Sequence, residues 1–188
     1  MTIDSPSKDR SKLPARDRIL LAAHDLFYAE GIRATGIDRI IAEAGVTKVT
    51  FYRHFPSKND LILAFLDYRH ERWMAWFKGA LARNAHLGGG ALVPALGEWF
   101  AREDFRGCAF INTVVEVGGT IPEAREVSRR HKEDMTAAIA DILPEAPDRQ
   151  ATAKALALVV DGAIIRAQYE GDGKGALGTL MRVVAGLT

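Results

Sequence analysis

The stretch TKVTFYRH, Thr47 to His54, places Thr47, Lys48, Thr50, Tyr52, Arg53 and His54 within about two helical turns and contains no acid. Hydroxyls, an ammonium, a guanidinium and an imidazole gathered this way suit an anion. A helix opening on Thr47 and Lys48 adds free first-turn amides and a partial positive charge, to which a phosphate is the natural partner. Ser57 and Lys58 repeat the arrangement at the next helix start. A second set of residues is less basic. Asn112 and Glu116 lie four apart in an otherwise apolar stretch, and a buried carboxylate is costly unless paired. With Trp73, Phe77, Trp99, Phe100 and Phe110 they predict an apolar pocket with few polar anchors, the usual character of a small-molecule site. An aromatic core with Glu116 hydrogen-bonded inside it fits the same residues. Cys108 is the chain's one cysteine, which excludes an intrachain disulfide and a cysteine-rich zinc site. The five histidines, His131 among them, show neither metal spacing nor triad logic. No phosphate loop, nucleophile elbow or cofactor motif is present. An enzyme using Glu116 or Cys108 is therefore the weaker alternative, and no cofactor or metal is expected.

These residues must be positioned by helices, because no alternating strand pattern and no repeat occurs. Residues 1–13 are polar and read as a flexible arm carrying Lys8, Arg10 and Lys12. From Pro14, Ile19, Ala23, Leu26 and Phe27 recur at helical spacing up to Gly31. A second helix follows Thr35, with Ile37, Ile40, Ile41 and Ala44 on one stripe, and ends at Gly45. Thr47 is placed to cap a third, Lys48 to Phe55, stopped by Pro56. Val46, Val49, Phe51 and Phe55 are expected to pack inward. Ser57 and Asp60 have capping-box spacing at the start of a long fourth helix reaching about Arg83. After a break at HLGGG, 86–90, further helices are predicted over 91–103, 107–119, 122–143, 148–170 and 174–186. Thr120 with Glu123 and then Asp148 are placed to cap two of them. The fold class is all-α with about nine helices. Residues 14–56 form a three-helix helix-turn-helix head, and 57–188 form a helical body for ligand binding and dimerisation.

The run GIRATGIDRIIAEAGVTKVTFYRHFPSKNDL, 31–61, joins two short helices by a tight Ala-Gly-Val link, which sets them at a steep angle. Over residues 15–65 the chain resembles the TetR family of bacterial repressors. The matching residues are Gly31, Thr35, Ile41-Ala42, Ala44-Gly45-Val46, Thr47, Tyr52 to Phe55 and Ser57-Lys58. Gly36 stands where the family often has a second threonine, and Val49 where glycine is common. The resemblance implies double-stranded operator DNA as partner, a C-terminal regulatory body, dimerisation through two late helices, and release on binding a small-molecule effector. Thr47, Lys48, Thr50, Tyr52 and His54 are then expected to face the major groove, with Thr35, Arg39 and Lys58 on the DNA backbone. Tyr52 turned inward to brace the turn is the alternative.

Two long stripes supply a candidate dimer face. Val127, His131, Met135 and Ile142 form one, and Leu158, Gly162 and Ile165 the other. Together they can make half of a four-helix bundle across a twofold axis; the same stripes can also be buried within one chain. Charge agrees with a head and a body of different roles. Residues 1–85 hold 14 Lys/Arg against 10 Asp/Glu, and residues 86–188 hold 11 against 14, a swing from net +4 to net −3. The N-terminus has no apolar run and no stretch suits a bilayer, so a cytoplasmic protein without membrane contact is expected. A constitutive, ligand-free DNA-binding protein remains the second alternative.

Overall fold

The computed structural model describes residues 10–187. Of the expected arm, residues 1–9 lie outside the described residues. Arg10–Lys12 form a short 3-10 turn, and Arg10 pairs with Asp25 at 2.7 Å, so this part of the arm is held against the first helix. Among the described residues there are nine α-helices and no strand: α1 Ala15–Glu30, α2 Ile37–Ala44, α3 Lys48–His54, α4 Lys58–Arg83, α5 Leu92–Phe100, α6 Ala109–Val117, α7 Pro122–Asp141, α8 Arg149–Glu170 and α9 Lys174–Leu187. No described helix is long and apolar enough to cross a membrane.

Local chemistry accounts for most boundaries. Gly45, at φ +60°, ends α2 in a left-handed turn: its N–H reaches Ala42 O at 3.1 Å, and the Val46 N–H reaches Ile41 O at 3.2 Å. That conformation favours glycine. Thr47 Oγ1 accepts the Thr50 N–H at 3.2 Å and so caps α3. At α4, Ser57 Oγ accepts the Asp60 N–H at 3.2 Å and donates to the Asp60 carboxylate at 2.6 Å. Two expected caps are corrected. The Thr120 hydroxyl turns back to the Val117 carbonyl at 3.1 Å, closing α6 instead of opening α7. Asp148 precedes α8 but makes no side-chain cap bond. The glycine run is not an open break either, because Ala85–Ala91 coil into a 3-10 segment with Gly88 at φ +53°. Helix α5 stops at Phe100, short of 103, and beyond it Arg102 clasps the Asp104 carboxylate through two bonds of 2.7 and 2.6 Å.

The chain groups into two compact units. One holds the residues up to Arg72 with Ala109–Arg129; the other holds Trp73–Cys108 with Arg130 onwards. Residues 57–72 and 109–129 thus group with the head. In this first unit Phe27 meets Phe65 edge-on at 5.5 Å, and Ile19, Ile40, Phe51 and Leu61 are fully buried. Arg69 is buried too, its guanidinium 3.9 Å from the Tyr28 ring centre and 3.2 Å from His24 Nε2. A guanidinium only donates, so Nε2 accepts and Nδ1 faces the Asp25 carboxylate, 3.0 Å away. Burial pushes the Asp25 carboxyl up, but hydrogen bonds from His24 and Arg10 outweigh it and hold the group below its ordinary value.

In the second unit Trp73 stacks on Phe77 at 4.6 Å and meets Trp99 edge-on at 5.4 Å, while Phe105 closes on Trp99 at 5.2 Å. The Trp76 indole N–H donates to Glu98 at 2.9 Å, and Arg83 adds a bond of 2.6 Å to the same carboxylate. Helices α8 and α9 pack on each other. Lys132 reaches Asp161 at 2.5 Å beside the buried Cys108 thiol; burial alone would lower this ammonium, yet the two neighbours raise it.

Candidate nucleic-acid interface

Helix α3 is fixed from behind by Phe51, which is fully buried, and by Phe55. At 100° per residue, Val49 lies about 200° from Phe51 and must face away from that anchor. It is 71% exposed, which corrects the expectation that it packs inward. Lys48, Tyr52 and Arg53 are exposed with it, and His54 is half-buried. Tyr52 rests its ring edge-on against Phe51 at 5.2 Å and still presents its outer edge to solvent, so it does not turn inward. Thr47 and Thr50 join hydroxyl to hydroxyl at 2.9 Å. Lys48 sits 3.6 Å from Asp38, an exposed and loose pair. Arg53, which the sequence-based groove set omitted, is exposed and has no partner among the described residues. Its position two residues after the anchor Phe51 was the available signal.

Of the residues expected on the DNA backbone, Thr35 and Lys58 are drawn inward and Arg39 stays exposed. Thr35 is fully buried and donates its hydroxyl to Gly31 O at 2.8 Å, so it braces the α1–α2 connection and presents nothing outward. Lys58 is half-buried, donating to Ile32 O at 2.6 Å with its ammonium 5.8 Å from the Phe27 ring centre. Burial lowers its pKa and the charge of Glu116 partly restores it. Arg39 is exposed and grips the Glu30 carboxylate through both terminal nitrogens.

Glu116 was expected in an apolar pocket. It instead reaches the α1–α2 loop, accepting the Arg33 backbone N–H at 2.8 Å. A Cβ placed on Gly31, where φ is +92°, would come within 3.2 Å of both carboxylate oxygens, so glycine is what lets the carboxylate approach. The apolar stretch that carries Asn112 and Glu116 is not buried throughout, because Val115 is 81% exposed. Of the other expected pocket residues, Trp73, Phe77, Trp99 and Phe100 cluster in the second unit, whereas Phe110 and Asn112 belong to the first, with Phe110 buried and Asn112 half-buried. The Trp73 indole N–H is buried without a hydrogen-bond partner among the described residues.

The expected dimer stripes also separate. His131 and Met135 are buried within the protomer, at 2% and 1% exposure, and Trp73 meets the His131 ring at 5.0 Å. An amphipathic stripe on α7 is thus spent inside the chain, and Val127 and Ile142 are half-buried. On α8, Leu158, Gly162, Ile165 and Tyr169 are exposed, and on α9 so is Met181.

Comparison with known proteins bears on this geometry. The family model described as bacterial regulatory proteins, tetR family, matches residues 19–65. The crystal structure of SCO4454, a TetR-family transcriptional regulator from Streptomyces coelicolor, superposes with a TM-score of 0.81 at 32% identity, covering 92% of this chain and 93% of that one. The reduced form of NemR from E. coli superposes at 0.79 over 92% of this chain and 97% of its own, but at 18% identity it speaks for the fold alone. The HTH-type transcriptional activator FasR of Mycolicibacterium smegmatis is 38% identical over 66 residues, 35% of this chain and 30% of FasR's own length.

Proposed function

Because the chain belongs to the TetR family, whose members are DNA-binding transcriptional regulators and not enzymes, we propose that it is a dimeric repressor that grips a near-palindromic operator with α3 and releases it when a small molecule enters its helical body. The observation that carries the reading is the outward face of α3, where Lys48, Tyr52 and Arg53 stand exposed on a helix locked from behind by Phe51. Thr47, Thr50 and His54 complete that surface. Arg39 and Lys48 exchange Glu30 and Asp38 for phosphates on contact, while Thr35 and Lys58 stiffen the head from inside. Two heads, ~34–36 Å apart, engage successive half-sites. The pairing face is the exposed apolar strip Leu158, Ile165 and Tyr169 on α8 with Met181 on α9.

The effector site lies with the aromatic cluster of Trp73, Phe77, Trp99 and Phe100. An unsatisfied buried donor costs about 1–3 kcal/mol, and a ligand acceptor at the Trp73 N–H would relieve that. Glu116 gives the switch a route, since a shift of α6 pulls on the loop from which α2 and α3 hang. A coupling of ~1–3 kcal/mol suffices for such a switch. The site of action is cytoplasmic DNA. Selection of bound fragments from a genomic pool, followed by footprinting, tests the proposal. An inverted repeat overlapping a promoter, covered by one dimer and vacated on adding an aromatic effector, is expected. Tight binding of single half-sites by a monomer overturns it.

A further inference from the structure

Val49 has no structural reason to be where it is. It sits in the middle of a seven-residue helix, 71% exposed, with Lys48, Tyr52 and Arg53 around it. A β-branched side chain loses χ1 freedom in a helix, so alanine would serve α3 better. Its methyl groups touch water and add nothing to the core held by Phe51. The surrounding side chains are polar or cationic, so an extended apolar partner does not fit either. What does fit is a small apolar spot set within a strongly anionic surface.

We propose that Val49 reads the C5-methyl group of a pyrimidine in the major groove, so that each operator half-site carries a methylated base where α3 lies. The inference rests on the reading of α3 as the groove-facing helix. The major groove edge of an A·T pair differs from that of G·C partly through the thymine methyl, and an aliphatic side chain is the group suited to it. Lys48 and Arg53 hold phosphates without regard to sequence, whereas the isopropyl group distinguishes bases. Thymine and 5-methylcytosine present the same methyl, and the two sources separate experimentally.

The test uses the full-length protein and its selected operator, with deoxyuridine replacing each thymidine in turn and, separately, with cytosines methylated or not. Removing one buried methyl at ~0.8 kcal/mol corresponds to about a fourfold loss of affinity per half-site. One thymidine per half-site should show that loss by fluorescence anisotropy, and the Val49→Ala protein should not respond to the same change. Dependence on cytosine methylation alone, abolished in Val49→Ala, identifies 5-methylcytosine as the source and supports the same contact. Because Val49 is exposed, Val49→Ala should unfold no earlier than the wild type. Val49→Thr, which keeps the branch but exchanges a methyl for a hydroxyl, should lose part of the response. Indifference of the wild type to every methyl, or an equal response from Val49→Ala, overturns the inference. A protein that selects DNA and loses affinity on Arg53→Ala, yet tolerates every deoxyuridine and every change of cytosine methylation, overturns this contact alone. A protein that selects no DNA overturns the α3 reading along with it.

Discussion

Replacing Glu116 with alanine removes the acceptor on which the Arg33 amide rests, and the structure sets the size of the effect. The bond is 2.8 Å long and charge-assisted, a class worth about 1.5–3 kcal/mol where water is excluded. Glu116 is half-buried and the freed amide can be hydrated, so about 1 kcal/mol remains after screening. For a chain of 188 residues that is a fall in Tm of about 2–4 °C. Lys58 provides a second readout. Burial lowers its pKa and Glu116 partly restores it, so the Glu116→Ala variant should lower it further. For a cation whose folded pKa is depressed, the charged form is the costly one. The penalty is present below the folded pKa and is relieved as pH rises towards the ordinary 10.5. The stability gap between variant and wild type, followed by urea unfolding, should therefore narrow as pH rises through the depressed Lys58 value towards 10.5. An unchanged Tm, or a gap that widens with pH, refutes the reasoning.

Four further outcomes follow. Arg53→Ala should weaken binding to every DNA sequence and lower the salt slope by about 1; an unchanged slope counts against a phosphate contact. Gly162→Glu should give a folded monomer in sedimentation at micromolar concentration, since a Cβ at Gly162 meets nothing within 4 Å in the protomer; a persistent dimer excludes this part of α8 from the interface. Gly45→Ala should cost about 1–2 kcal/mol, because alanine resists the left-handed φ of +60° there although no atom clashes; a neutral result in thermal unfolding rejects that account. The Trp76 N–H holds the Glu98 carboxyl below its ordinary 4.5, with burial opposing and Arg83 adding to the effect, so its stabilisation is present above pH 4.5 and is lost as pH falls through the depressed value. Glu98→Gln should flatten that part of the acid-unfolding profile, and a superimposable profile would argue otherwise.

The head was legible from the sequence because its signals are local. The α2 stripe with Ile40 and Ala44, the Gly45 stop, the Thr47 cap and the inward Phe51 all lie within a dozen residues, 40–51. The orientation of Val49 was equally available from the helical period, once Phe51 is recognised as the anchor. Glu116 was not, because its partner, Arg33, lies 83 residues away and a backbone amide leaves no trace in composition. Thr35 shows a related difficulty: a hydroxyl near a helix start serves a phosphate or a carbonyl equally well, and only the fold brings the Gly31 oxygen to it. On α7, a stripe containing His131 and Met135 carries the same apolar period whether its cover comes from the same chain or from another copy.

The pairing of Arg39 with Glu30 and of Lys48 with Asp38 has a kinetic side. Non-specific retention on DNA grows with the number of cations that displace condensed counterions from it. Two of the head's cations arrive with their own counterion, a carboxylate, so a random encounter gains less from them. A head that binds DNA as proposed would, on this account, hop off wrong sequences sooner and scan a chromosome faster. On the proposed reading of α3, the full electrostatic grip would develop only where base contacts hold the head long enough for both carboxylates to be exchanged for phosphates.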